Sequence, residues 1–173
     1  MVDRRTVIKT IFVASGIAAL APFFPLGKFL TPEAQASYPR QKVGNINSIP
    51  VLGQIFVTYP KTGDPSKDND PFRQFLIIRT SENEVKAYSR VCLHLWCLID
   101  YKKDKDLIEC PCHGSQYLKE NGYGIAGPVA KQPNRWLPVL QIEVDENGDI
   151  YAIGIEGEIG YGRSPKPEEL RSI

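Results

Sequence analysis

Short runs rich in β-branched and aromatic residues recur along the chain after residue 50, and several of them alternate apolar with polar positions. They occupy residues 50–59, 73–80, 84–91, 137–144 and 149–155. The last two flank Asp145-Glu146-Asn147-Gly148, and an Asn-Gly pair between such runs is typical of a β-hairpin. No segment after residue 30 keeps a helical period over a useful length. The pattern predicts an all-β domain, with a loop-built subdomain at about residues 91–133 inserted between its strands.

The N-terminus has a different pattern. Residues 10–27 (TIFVASGIAALAPFFPLG) carry no charge, and as a helix they would reach about 27 Å at roughly 1.5 Å per residue, enough to cross a hydrocarbon core. The preceding DRRTVIK resembles a twin-arginine export signal. Because basic flanks stay in the cytoplasm, we predict that residues 1–30 form a twin-arginine-type signal and a single-pass transmembrane helix, with the N-terminus inside and the body on the outer face. A signal cleaved after Ala34-Gln35-Ala36 is the alternative.

The rest of the chain divides into a linker and a domain. Residues 31–50 are polar and are interrupted by Pro and Gly, which predicts a flexible tether. Residues 51–173 are then the folded domain. Its last residues, 157–173, show no periodic pattern, and we expect them to cover a sheet edge or to remain loose.

Composition and charge narrow the possible functions. The chain is 42% hydrophobic and 24% charged, which is typical of a globular protein. Four basic residues and one acidic residue lie within residues 1–30, so the rest of the chain has a net charge of −2. A mildly acidic body argues against nucleic-acid binding, which needs a basic face.

All four cysteines and both histidines lie in two short segments. The first segment contains Cys92, His94 and Cys97, and the second contains Cys110, Cys112 and His113. Thiolates and imidazoles gathered from two segments are typical of a metal site. A structural zinc accepts two of each, so a zinc-stabilised module that binds another protein is one hypothesis. Zinc would leave two of the cysteines without a role.

The second segment, CPCHGSQY at residues 110–117, resembles the second conserved box of Rieske iron–sulfur proteins of the cytochrome bc and b6f type. The resemblance covers residues 91–133 in detail and the rest of the chain in outline. It implies a Rieske-type antiparallel β base domain and one [2Fe–2S] cluster per chain, in which two histidines replace two cysteines on one iron and raise the potential. It also implies Cys92 and Cys110 on the inner iron, His94 and His113 on the outer iron, and a disulfide between Cys97 and Cys112. A spare cysteine pair in an exported domain fits such a disulfide.

The resemblance extends to residues around the ligands. Ser115 and Tyr117 match family hydroxyls that donate hydrogen bonds to a bridging sulfide and to a cysteine sulfur, which stabilises the reduced cluster. Residues 127–130 (GPVA) resemble the proline loop that covers the cluster. One position departs from the family, because Trp96 stands where most members have Gly. We expect Leu95 and Trp96 at an exposed tip beside His94, where the Trp96 ring extends a docking surface, shields the histidines or packs under the loop.

The two histidines account for the expected chemistry. A neutral imidazole in place of a thiolate leaves the site less negative, so the site accepts an electron more easily. The second imidazole nitrogen can take or release a proton, and this couples electron uptake to proton uptake, as quinol oxidation requires. The resemblance therefore implies a high-potential electron-transfer subunit of a membrane quinol-oxidising cytochrome bc-type complex, with His94 and His113 as its catalytic residues. The implied partners are quinol, membrane lipid, a cytochrome b-type membrane subunit, and a cytochrome c-type or copper-protein acceptor.

Two other Rieske functions fit the sequence less well. The small Rieske subunit of arsenite oxidase has a similar length and the same kind of export signal, but its second box tends to lack the Gly-Ser-x-Tyr arrangement of residues 114–117. A Rieske oxygenase needs two further histidines and a carboxylate for mononuclear iron, and the chain has two histidines in all. We expect the chain to act as the redox subunit of an oxidoreductase complex and not as an enzyme alone.

Overall fold

The computed structural model describes residues 3–20 and 38–171. Helix α1 (Arg4–Leu20) has 17 residues. Within these described ranges, no helix combines the length and the apolar character needed to span a membrane. The predicted span continues through residues 21–27, and these residues, like the alternative cleavage site at residues 34–36, lie outside the described ranges.

Residues 38–171 form two antiparallel sheets. The larger sheet has six strands, with the bounds β1 (Gln41–Asn45), β2 (Gln54–Thr58), β3 (Gln74–Arg79), β4 (Val85–Ser89), β9 (Val139–Val144) and β10 (Asp149–Glu156). Its order is β1-β10-β9-β4-β3-β2, and every neighbouring pair is antiparallel. All five runs predicted from the sequence correspond to strands of this sheet.

The smaller sheet has four strands, which are β5 (Asp100–Lys102), β6 (Leu107–Glu109), β7 (Gln116–Leu118) and β8 (Gly124–Ala126). They pair in chain order. The chain leaves the larger sheet after β4 and returns in β9, and these two strands are neighbours that pair through Tyr88 and Val139. The predicted inserted subdomain is therefore confirmed, but it contains a sheet as well as loops.

Helical structure in residues 38–171 is short. The connection from β2 to β3 contains helix α2 (Pro65–Asp68), which begins where the Asp64 side chain accepts a hydrogen bond from the Ser66 amide. Single turns of 3-10 helix occupy Ile46–Ser48, Pro71–Arg73, Pro128–Lys131 and Glu169–Arg171.

Strand β3 separates two hydrophobic cores. Phe75 and Ile77 pack with residues of β9 and β10 inside the larger sheet. Leu76 and Ile78, which point the other way, pack in a core that includes Tyr117 of the smaller sheet. Because successive side chains of a strand point to opposite faces, burial on both faces requires the unbroken apolar sequence found here. Strand β3 thus connects the base domain to the inserted subdomain that carries the cysteines and histidines.

Strand β1 shows that the predicted tether is too long. Residues 41–45 pair with β10, and the Lys42 ammonium lies 2.6 Å from the Asp149 carboxylate. The polar sequence QKVGN has no strand pattern of its own, so its conformation depends on the strand beside it. The flexible tether predicted at 31–50 does not hold for these residues, and residues 31–37 lie outside the described ranges.

The described part of the C-terminal tail is fixed by a buried arginine. The Arg163 guanidinium donates to the carbonyl of Leu137 at 3.2 Å and to that of Asn121 at 3.1 Å. It also forms a bidentate pair with Glu169, at 2.7 and 2.6 Å. The tail therefore does not remain loose as far as residue 171.

Candidate metal centre

The first loop, residues 92–97, is a tight turn closed by backbone hydrogen bonds. The Cys92 amide donates to the Cys97 carbonyl at 2.9 Å, and the Trp96 amide donates to the Cys92 carbonyl at 3.0 Å. An antiparallel bridge between Val91 and Leu98 closes its base. These hydrogen bonds thus fix residues 92–97 in a single turn.

The second loop, residues 110–115, repeats this construction. The Cys110 amide donates to the Ser115 carbonyl at 2.8 Å, and the Gly114 amide donates to the Cys110 carbonyl at 3.1 Å. Strands β6 and β7 close its base, where Glu109 pairs with Gln116. The two loops are therefore equivalent turns, in which position 96 of the first corresponds to position 114 of the second.

A disulfide joins the two loops. The sulfurs of Cys97 and Cys112 are 2.07 Å apart, and their Cα atoms are 6.5 Å apart. This confirms the predicted pairing. Closing a loop of 15 residues stabilises a fold by about 3 kcal/mol on the chain-entropy estimate.

The other two cysteines are free thiols and are buried. The Cys110 sulfur lies within 4.8 Å of both disulfide sulfurs. Burial raises the pKa of the Cys110 thiol, and hydrogen bonding with Cys92 acts in the same direction. Two adjacent buried thiols lose their protons readily only when a metal ion compensates the charge. The pair has the character of an inner metal-binding half-site.

The two histidines form a second pair. Their rings are 4.9 Å apart between centroids and almost perpendicular, at 87°. Among the described residues, the His94 Nδ1 atom is buried without a hydrogen-bond partner. A buried polar atom without a partner is costly, and a metal ion would satisfy it. The structure thus provides sulfur donors inside and imidazole donors at the rim, a donor set that fits a [2Fe–2S] group with mixed ligands.

Tyr117 lies beneath the first loop and is fully buried. Its Oη atom accepts a hydrogen bond from the Leu93 amide at 3.1 Å and lies 3.3 Å from the Cys92 sulfur. Because the amide can only donate, the hydroxyl hydrogen is available to the sulfur. Burial, reinforced by the nearby Cys92, raises the pKa of Tyr117 far above its usual value, so the side chain stays a donor.

On the side of the second loop, the candidate metal centre is closed by Ser115 and by the segment after β8. Ser115 is fully buried, and its Oγ atom accepts a hydrogen bond from the Val129 amide at 3.3 Å. Its own hydroxyl hydrogen is then free to be donated elsewhere. Gly127 has φ of 72°, and a Cβ there would lie 2.9 Å from the Ser115 Cα atom. Only glycine allows residues 127–130 to lie this close to the second loop.

Trp96 both packs and remains partly exposed. Its ring makes edge contacts with Phe72 and Tyr161, and 48% of the residue is exposed. Leu95 is 63% exposed, as expected for the tip. Sequence reasoning missed the roles of Phe72 and Tyr161, since neither lies in a motif and both are distant from Trp96 along the chain.

Comparisons with known proteins agree with this geometry. Residues 44–153 match the family described as the Rieske [2Fe-2S] domain. The cytochrome b6-f complex iron-sulfur subunit of Chlorobaculum tepidum is 30% identical over 150 residues, which are 86% of this chain and 74% of that protein.

Two solved structures share the fold. The soluble domain of the Rieske protein II (soxF) from Sulfolobus acidocaldarius aligns with a TM-score of 0.53 and 22% identity, over 83% of this chain and 91% of that one. The plasma membrane Rieske protein PetC3 from Synechocystis PCC 6803 aligns with a TM-score of 0.51 and 22% identity, over 66% of this chain and 99% of that one. The chain therefore belongs to the Rieske [2Fe–2S] family and is an electron-transfer protein with a [2Fe–2S] cluster.

Proposed function

We propose that this chain is the high-potential Rieske subunit of a membrane quinol-oxidising cytochrome bc-type complex. It takes one electron from quinol and passes it to a cytochrome or copper protein. A relative that is 30% identical is named as a cytochrome b6-f complex subunit, which supports this class of complex. The observation that carries the proposal is the pair of histidines at the rim of a centre whose thiols are buried.

The four ligands proposed are Cys92 and Cys110 for the inner iron and His94 and His113 for the outer iron. Cys92 and Cys110 are both buried, and the His94 Nδ1 atom is buried without a hydrogen-bond partner. When bound, the cluster supplies a one-electron acceptor. The disulfide between Cys97 and Cys112 would hold the two loops together around such a shared group.

The histidines would accept the proton that quinol releases. If His94 binds iron through Nδ1, its Nε2 atom carries the imidazole proton. Once that proton has been released, Nε2 can accept a hydrogen bond from a quinol hydroxyl and then take up the quinol proton. Quinol gives up two electrons and two protons in all, so the second electron must leave through a partner. A cytochrome b-type membrane subunit is the partner proposed for this electron, which is why the chain would not be an enzyme alone.

Two hydroxyls would place the potential in the high range. Tyr117 can donate to the Cys92 sulfur at 3.3 Å, and the buried Ser115 hydroxyl has its hydrogen available because its oxygen accepts from Val129. Donors directed at the sulfur atoms of a cluster stabilise its more negative, reduced state.

The chain would be anchored in a membrane. The paired arginines and the uncharged run at residues 10–27 support an export signal and an anchor in the cytoplasmic membrane, with the N-terminus inside and the Rieske domain on the outer face. Because β1 begins at Gln41, the tether is limited to residues before the sheet. A tethered head could move between donor and acceptor.

The test is quinol-dependent reduction in the purified complex. The complex is isolated from native membranes in mild detergent, and the reduced-cluster signal is followed by electron paramagnetic resonance after quinol is added. We expect the signal to appear with quinol and the potential to fall with rising pH, since electron and proton are taken up together. A cluster that dithionite reduces and quinol does not would overturn the proposal.

A further inference from the structure

Trp96 has a backbone conformation that is unusual for a residue with a side chain. Its φ is 61°, and the equivalent residue of the second loop, Gly114, has φ of 69°. The left-handed conformation is disfavoured whenever a Cβ is present. Something outside the first loop must therefore compensate for a tryptophan at this position.

The compensation comes from a cradle of three residues. The Trp96 ring lies 5.8 Å from the Phe72 ring and 5.7 Å from the Tyr161 ring, both edge-on. Its Nε1 atom donates to the Gly160 carbonyl at 3.2 Å. Gly160 has φ of 83°, and a Cβ there would lie 2.8 Å from the indole, so the cradle fits the indole closely.

The C-terminal side of the cradle is itself fixed. The amides of Tyr161 and Gly162 both donate to the Glu158 carbonyl, at 3.0 and 2.9 Å. The Asn134 side chain donates to the Tyr161 carbonyl at 3.0 Å. The next residue along the chain, the buried Arg163, donates a hydrogen bond to the Glu169 carboxylate. A rigid loop of the base domain thus holds the indole from outside the inserted subdomain.

We propose that Trp96 is a positioning residue, clamped by Phe72, Gly160 and Tyr161 so that the base domain fixes the first loop and the orientation of His94. The connection is short, because the Trp96 amide donates to the Cys92 carbonyl and His94 lies between these two residues. The consequence for His94 rests on its proposed role as a ligand. The clamp itself is a property of this chain, because Phe72, Gly160 and Tyr161, which hold the Trp96 ring, all lie outside the two cysteine–histidine segments.

The experiment compares variants of the intact protein. Trp96→Ala removes the clamp and keeps the backbone strain, whereas Trp96→Gly removes both. Trp96→Phe keeps a ring in the cradle. Phe56→Ala is the matched control, because Phe56 is 47% exposed against 48% for Trp96 and packs on the Arg90 guanidinium. Tyr161→Ala opens the clamp from the other side, at a residue that is 54% exposed and belongs to neither hydrophobic core.

The measurements are the rate of cluster bleaching on warming and the visible circular dichroism of the oxidised cluster, which reports ligand geometry. We expect the cluster of Trp96→Ala to bleach about tenfold faster. The reason is that roughly half of the Trp96 surface is buried in the cradle, and the variant loses this buried apolar contact. Trp96→Gly should fall between Trp96→Ala and the parent, and Trp96→Phe should restore most of the difference. The dichroism should change in Trp96→Ala and Tyr161→Ala and remain unchanged in Phe56→Ala.

Two results would overturn the clamp. One is a Trp96→Ala protein that matches Phe56→Ala in both measurements, and the other is a Trp96→Gly protein at least as stable as the parent. If the parent protein contains no iron, the proposed function fails instead. The clamp is then tested by amide hydrogen exchange of residues 95–97, where unchanged protection in Trp96→Ala would refute it.

Discussion

Replacing Tyr117 by Phe removes one oxygen atom from beneath the first loop. That oxygen lies 3.3 Å from the Cys92 sulfur and accepts the Leu93 amide hydrogen. The ring is fully buried among apolar residues, so the phenyl group of the variant should occupy the same space. The change therefore isolates two hydrogen bonds from the packing of the core.

The loss of the donor should lower the midpoint potential. A hydrogen bond to a charged group contributes about 1.5–3 kcal/mol, and only the difference between the two oxidation states affects the potential. If half of the upper value is that difference, the cost is about 1.5 kcal/mol, which for one electron corresponds to about 65 mV. The Leu93 amide also loses its acceptor, and a buried donor left unpaired costs about 1–3 kcal/mol of stability.

The assay is a redox titration of the cluster-loaded protein, with Tyr88→Phe as the control. Tyr88 is also buried in the same core, but its hydroxyl donates to the Lys119 carbonyl at 3.0 Å and not to a sulfur. We expect a lower potential in Tyr117→Phe, the parent potential in Tyr88→Phe, and reduced thermal stability in both. A Tyr117→Phe protein that keeps the cluster and the parent potential would refute the assigned donor.

Three further changes test other parts of the structure. Cys112→Ser breaks the disulfide to Cys97. We expect the cluster to assemble but to be lost faster in a thermal bleaching assay, because the fold loses about 3 kcal/mol of stability. Complete loss of iron binding under mild conditions would contradict the ligand set. Gly127→Ala places a Cβ against the second loop, and we expect a loss of at least about 2 kcal/mol in denaturant unfolding; parental stability would contradict the close approach. The hydrogen bonds from Arg163 hold the pKa of Glu169 below its ordinary 4.5, so this carboxylate stabilises the fold above that pH and the contribution is lost as pH falls through the lowered pKa. Glu169→Gln should therefore be less stable near neutral pH and lose less stability on acidification in pH-dependent unfolding; an unchanged acid profile would contradict the role of the pair.

The longer strands could be predicted because their sequences are consistent with their final positions. The hairpin of β9 and β10 was visible in its alternation and in its Asn-Gly turn, and β3 was visible as an apolar run. Strands β5 to β8 have three residues each, which is too short to show a period. Their conformation comes from pairing and from the core beneath them.

The site was predictable to the extent that its chemistry restricts residue type. Few residue types bind iron, and the chain has six cysteines and histidines in total, so their clustering was informative. The clamp on Trp96 carried no such signal, because Phe72 and Tyr161 are ordinary aromatic residues in turns. Their contacts with Trp96 depend on where the connection from β2 to β3 and the C-terminal tail lie in the folded domain, which local sequence does not specify.

The central claim is that the cluster is held by two thiolates inside and two imidazoles outside. Electron spin-echo spectroscopy of the reduced protein, prepared with and without nitrogen-15-labelled histidine, tests it most directly. The claim predicts couplings from two histidine nitrogens, both of which change with the label. A reduced cluster that shows no histidine nitrogen coupling would contradict it.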